Sequence, residues 1–78
     1  LRLIRSFFHN FQDNIDYPNT SGLTPLIDAI CIGDIDVCEL LLDLGANPNV
    51  CETGNLKRSP LHYAIYNECL DIFKLLLR

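Results

Sequence analysis

Apolar residues recur along this chain at three- and four-residue steps, the spacing that gathers side chains on one face of a helix. Residues 2 to 11 carry Leu3, Ile4, Phe7, Phe8 and Phe11 in that rhythm, and Val37, Leu40, Leu41 and Leu44 repeat it. Turn-forming residues separate the two sets. Asn14 to Ser21 reads Asn-Ile-Asp-Tyr-Pro-Asn-Thr-Ser and predicts a tight hairpin-like loop ending at Gly22. Thr24 then precedes Pro25, a hydroxyl that accepts a first-turn N–H followed by a residue whose missing N–H has no partner in a helix anyway. This pair predicts a helix from Pro25 to about Ile32, stopped by Gly33, which enters the left-handed region without a steric penalty. A second helix begins at Asp34 or Ile35, carries Asp36 near its positive end, and closes at Gly45. Only about two residues join the two helices, so they lie antiparallel as neighbours.

The same text is written twice. Gly22-Leu23-Thr24-Pro25-Leu26-Ile27-Asp28-Ala29-Ile30 has its counterpart in Arg58-Ser59-Pro60-Leu61-His62-Tyr63-Ala64-Ile65, and Thr24 and Ser59 stand 35 residues apart. Leu40-Leu41-Leu42 and Leu75-Leu76-Leu77 keep that offset of 35. A weaker copy, shifted by 33, sets Ile4, Phe7, Phe8 and Phe11 upon Val37, Leu40, Leu41 and Leu44. Such a period implies a repeat architecture in which each unit leaves an apolar face for the next to cover. Ala29 and Ala64 suit close approach of paired helices, where a larger side chain would overpack by about 1–3 kcal/mol.

The copies differ in two places. Glu68 stands where Gly33 stood, and a non-glycine residue in a left-handed turn is strained by roughly 1 kcal/mol or more, which predicts a reshaped turn. The loop from Val50 to Arg58 is two residues longer than a 33-residue period allows. Insertions of this kind fall in loops on one face, often the binding face.

Thr24-Pro25-Leu26, Ala29, Gly33, Val37, Leu40-Leu41, Gly45-Ala46-Asn47 and Asn49 resemble the ankyrin repeat, whose pattern runs roughly G-x-T-P-L-H-x-A-x-x-x-G-x-x-x-x-V-x-x-L-L-x-x-G-A-x-x-N. Pro60, Leu61, His62, Ala64, Ile72, Leu75 and Leu76 carry it into the next copy, and Asn14-Ile15-Asp16 is similar to the end of a preceding one. The resemblance spans nearly the whole chain. It implies an all-α fold: an ankyrin-repeat solenoid of stacked antiparallel helix pairs linked by hairpin-like loops. On this reading residues 1–21 end a degenerate repeat, 22–54 form a complete one and 55–78 an incomplete one, a piece of a longer array.

Seventy-eight residues make one small domain, too short to bury a large share of its surface. The net charge of -4, with six Lys and Arg in no run, argues against nucleic acid, whose affinity comes from neutralised phosphates. No apolar stretch approaches the roughly 18 residues of a spanning helix, and no signal peptide is evident. The expected setting is soluble and intracellular, cytoplasmic or nuclear, with Cys31, Cys38, Cys51 and Cys69 reduced. These cysteines lie 7, 13 and 18 positions apart and offer no zinc spacing. Cys38 and Cys69 read better as small core hydrophobes.

No catalytic, metal or cofactor site is expected. In ankyrin repeats the histidine after Pro-Leu hydrogen-bonds within the loop network, so the resemblance gives His62 a structural role with Ser59 as its natural partner. Ile27 replaces it in the preceding copy, and His9 has no ligand set near it. Asp34, Asp36, Glu39 and Asp43 read as a solvated helix face.

Ankyrin repeats usually hold partners on the hairpin tips and the exposed side of the first helix. Carried over position by position, the resemblance implies partner-binding residues Thr20, Ser21, Leu23, Cys31 and Ile32, and then Lys57, Arg58, Tyr66 and Asn67. Leu23 and Ile32 would be apolar anchors, Tyr66 an amphipathic one, and Lys57-Arg58 a basic tip for an acidic partner. The function implied is non-catalytic recognition of a partner protein by an adaptor or scaffold. The alternatives are a substrate-receptor segment of a ubiquitin ligase, or bridging and capping repeats of a longer array. Exposed end faces at Ile4/Phe8 and Ile72/Leu76 would also permit self-association, and no membrane or nucleic-acid partner is expected.

Overall fold

The hydroxyl of Thr24 accepts the amide of Ile27 at 3.2 Å, and Pro25 opens the helix behind it. The computed structural model describes residues 15–78. The helix expected over residues 2 to 11, with His9 and the Ile4/Phe8 face, lies outside the described residues. Among the described residues there are four helices: α1 Pro25–Ile32, α2 Ile35–Asp43, α3 Pro60–Tyr66 and α4 Leu70–Leu77. Among the described residues there is no strand, so the architecture is all-α.

Side chains cap three of the four helix starts. Asp34 Oδ1 accepts from Val37 N at 3.2 Å, and Ser59 Oγ accepts from His62 N at 3.1 Å. Cys69, at the same place before α4, makes no cap hydrogen bond. The Ser59–His62 link therefore exists, but through the histidine's backbone amide and not its imidazole, which is exposed. A hydroxyl before the helix meets the third amide of the first turn, so the bond needs no particular side chain at position 62.

The interhelix turns correct one expectation. Glu68 does not reshape its turn; it adopts φ +56° and takes the left-handed place that Gly33 fills at φ +86°. The bonding is conserved between the copies. Gly33 N donates to Ile30 O at 3.0 Å and Asp34 N to Ala29 O at 3.3 Å; Glu68 N donates to Ile65 O at 3.0 Å and Cys69 N to Ala64 O at 2.9 Å. The packing of α3 on α4 dictates the chain reversal, and the residue accepts the strain.

One apolar cluster holds both helix pairs together. Leu26, Ala29, Ile30, Cys38 and Leu41 from α1 and α2 are buried against Ala64 and Ile72 from α3 and α4, with Ala46 beside them. Leu75, Leu76, Phe73 and Cys69 pack on this cluster from the last unit. Each fully buried Leu or Ile contributes about 1.5–3 kcal/mol, and here those contributions come from contacts shared between units. α1 lies against both α2 and α3, and α4 against both α3 and α2. Leu44 departs from the stripe expected of α2: the helix ends at Asp43, Leu44 serves as its C-cap, and its side chain is exposed. Cys38 lines that stripe instead, wholly buried.

Candidate functional site

Two hairpins precede α1 and α3, and they are built on one plan. In the first, Asn19 N donates to Leu23 O at 2.9 Å, while Asn19 Oδ1 accepts the amides of Leu23 and Ser21 at 3.0 and 2.9 Å. In the second, Glu52 N donates to Arg58 O at 2.9 Å, and Glu52 Oε2 accepts the Arg58 amide at 3.0 Å. Glu52 thus takes the place of Asn19, and Arg58 that of Leu23. The two additional residues expected of this loop fall between them, in the tip Thr53 to Lys57. The base is equally close in both hairpins, 2.9 Å from N to O, so the extra length is taken up in the tip.

Glu52 then binds more than a backbone amide. Its Oε2 accepts from Arg58 Nε, and its Oε1 accepts from Arg58 Nη2 at 3.2 Å and from the Tyr63 hydroxyl at 2.6 Å. The Arg58 guanidinium lies over the Tyr63 ring, 5.0 Å from its centroid, a cation–π arrangement. Loop and α3 are tied together by this knot. The carboxylate is buried, with 8 % of the residue exposed, yet every acceptor in it is used. The Arg58 and Tyr63 hydrogen bonds hold the Glu52 carboxyl at a pKa of about 2, well below its ordinary 4.5. The same carboxylate raises the pKa of Tyr63, through its hydrogen bond first and burial second.

Successive loops are stacked by backbone amides that donate to the level before, in one case to a carbonyl and in the other to a side-chain carboxylate. Thr53 N donates to Gly22 O at 2.9 Å, and one loop level away Asn47 N donates to Asp16 Oδ1 at 2.9 Å. Gly22 is required on two counts: its φ is +83°, and a Cβ there would stand 2.3 Å from Thr53 Oγ1.

The residues expected to meet a partner fall into two sets. Thr20, Ser21, Cys31, Ile32, Lys57, Tyr66 and Asn67 are exposed, whereas Leu23 and Arg58 are half-buried. Ile32 and Tyr66, the large exposed hydrophobics of the set, are 76 % and 78 % exposed at the C-terminal ends of α1 and α3. Arg58 is not a free cation: Glu52 neutralises it within the loop. The unpaired cation of the tip is Lys57, held at φ +47°. Cys31 is exposed, its thiol pushed up by partial desolvation and then by Asp28, while burial and then Asp34 push Cys38 up to about 12. Both thiols stay protonated, and Cys38 is an inert core group. Among the described residues no set of three or more His, Cys, Asp or Glu side chains is placed to hold a metal ion.

Sequence reasoning missed Glu52 and Leu56, the latter 72 % exposed in the tip. The signal for Glu52 was its place 33 residues after Asn19, hidden because the two residue types differ. Leu56 has no counterpart in the shorter hairpin and so no repeat position to flag it.

Stacked helix pairs with a shared core and rigid hairpin tips define a repeat protein with an extended recognition surface. The chain belongs to the ankyrin-repeat family: residues 2–78 match the family described as ankyrin repeats (3 copies). It is also similar to the ANK repeat-containing protein nipk-1 of Caenorhabditis elegans, 39% identical over 62 residues. That stretch covers 78% of this chain and 10% of the worm protein, so the chain spans about a tenth of the relative's length. Ankyrin repeats generally act as protein–protein interaction modules, and the family is generally non-catalytic. No described helix is long and apolar enough to cross a membrane.

Proposed function

We propose that this segment docks a partner protein, as part of an adaptor or scaffold, through the hairpin tips and the open ends of α1 and α3. The observation that carries the reading is the pair Ile32 and Tyr66, large side chains left open at the C-terminal ends of α1 and α3. Around them lie Thr20, Ser21, Cys31, Lys57 and Asn67, while Leu23 and Arg58 support the surface from half-buried positions. Because the Glu52 knot already fixes the loop, binding costs little ordering entropy. The repeats divide at residues 22–54 and 55–78, and the four unpaired thiols fit a reducing, intracellular compartment.

A pull-down with the parent protein tests it. Ile32→Ser combined with Tyr66→Ala should reduce recovery of a bound partner by about tenfold or more, as anchor losses do, at unchanged helicity. Arg58→Ala is the wrong probe, since it strips the buried Glu52 carboxylate of its cation. Undiminished recovery by the double variant would move the contact elsewhere.

A bridging role has one specific observation in its favour. Ile65 is 59 % exposed, whereas Ile30, its counterpart one repeat earlier, is wholly buried by the unit that follows it. A further helix pair stacked on α3 and α4 would cover it in the same way.

A further inference from the structure

The edge of the stack that carries the short interhelix turns lies away from the hairpins, and it holds a groove of about 340 Å³ between α2 and α4. Buried Ile72 lies in the groove lining, Ile35 and Leu70 line it as exposed apolar walls, and Gly33 leaves one lip open. Leu70 is 62 % exposed. An aliphatic side chain so open beside a concave apolar lining gains by burial against a partner.

The charges at this edge have one sign. Glu68 and Asp71 line the groove, and Asp34 and Asp36 flank Ile35 in sequence. All four are exposed, and none of them is in an ion pair among the described residues. The described cations lie elsewhere. Arg58 pairs with Glu52, Arg78 with Asp43 and Glu39, Lys57 is in the hairpin tip, and Lys74 is in the last turn of α4. An apolar slot with an acidic rim is complementary to a segment with apolar anchors set between lysines or arginines.

We propose that the α2/α4 groove is a second docking site, separate from the hairpin surface, that takes a basic peptide segment by burying its apolar side chains against Ile35, Leu70 and Ile72. Both walls of the groove come from units present in this chain. A hollow on the other side of the Glu68–Leu70 turn shares Glu68, Cys69 and Leu70 with the groove and is otherwise lined by Ala64, Ile65 and Phe73; it is the stacking face of the last unit, and Gly33, Ile35, Asp71 and Ile72 belong to the groove alone.

The test is a titration of the 78-residue chain with a short fluorescein-labelled peptide of leucines set among lysines, followed by polarisation and by backbone amide shifts. Two control peptides replace lysine by glutamate or leucine by serine. The leucine–lysine peptide should bind about tenfold tighter than either control, shift the amides of Gly33, Ile35 and Cys69 to Ile72, and weaken as salt rises. Leu70→Ser, and separately Glu68→Gln with Asp71→Asn, should each weaken it about tenfold, while Leu56→Ser in the hairpin tip should leave it unchanged. Equal binding of the controls, indifference to both variants, or shifts confined to Ile65 and Phe73 or to the hairpins would overturn the proposal. Loss of binding by Leu56→Ser would also overturn it, because the peptide would then occupy the hairpin surface.

Discussion

Glu52 closes its hairpin in the way Asn19 closes the preceding one, each accepting through a side-chain oxygen the amide of the residue across the loop base, Arg58 at 3.0 Å and Leu23 at 3.0 Å. The two extra residues of the second tip leave this closure unchanged, and the acid in addition binds Arg58 and Tyr63 through its side chain.

Acid should weaken this knot. The Glu52 carboxyl sits near 2 in the folded chain against 4.5 ordinarily, so the unfolded chain binds its proton earlier as pH falls. The stability it lends is full above about 4.5 and fades toward about 2. Melting curves across this range should show the gap between wild type and Glu52→Gln closing as pH falls; a gap that stays constant would contradict the assignment.

Gly22→Ala should destabilise the chain by roughly 1–3 kcal/mol, from both the left-handed φ and the approach to Thr53. A second change, Thr53→Ala, removes the nearest atom, Oγ1 at 2.3 Å, and leaves the strain. The double variant should recover part of the loss relative to Gly22→Ala in a denaturant titration. Simple additivity of the two changes would show that the hairpins do not touch there.

At the interhelix turns, opposite substitutions should have opposite signs. Gly33→Ala meets nothing within 4 Å, so its expected cost of about 1 kcal/mol is conformational alone. Glu68→Gly relieves the strain at φ +56° and should stabilise by somewhat less than 1 kcal/mol, because glycine also loosens the unfolded chain. Thermal midpoints, which move about 4–8 °C per kcal/mol in a domain of this size, resolve both.

Removing a helix cap should cost about 1 kcal/mol at Ser59→Ala. Cys69→Ser should add the missing cap to α4 and regain a similar amount, less the packing its sulfur makes against the core. A denaturation series on the two single variants and their combination checks the signs.

The helices were legible because their signals are local. Thr24-Pro25, Gly33 and the 35-residue offset fix starts, stops and repetition from neighbouring residues alone. Cys38 was legible as a small core hydrophobe, whereas exposure of Leu44 was harder, since a helix that ends one residue sooner turns its last leucine to solvent. The knot around Glu52 was illegible for another reason. It joins a loop acid to a tyrosine 11 positions away on the next helix, and only the stacked structure brings the two together. Arg58 consequently read as a free basic contact where it is a paired one.

The central claim is that the two helix pairs share one core and have no separate ones. Ile30, wholly buried in α1, belongs to the cluster that also contains Ala64 and Ile72 from the following unit. Amide hydrogen exchange on Ile30→Ala tests this directly: the shared core predicts that Ala64, Ile65, Leu75 and Leu76 lose protection in step with the amides of α1 and α2. Wild-type protection in α3 and α4 beside a loosened α1 would contradict it.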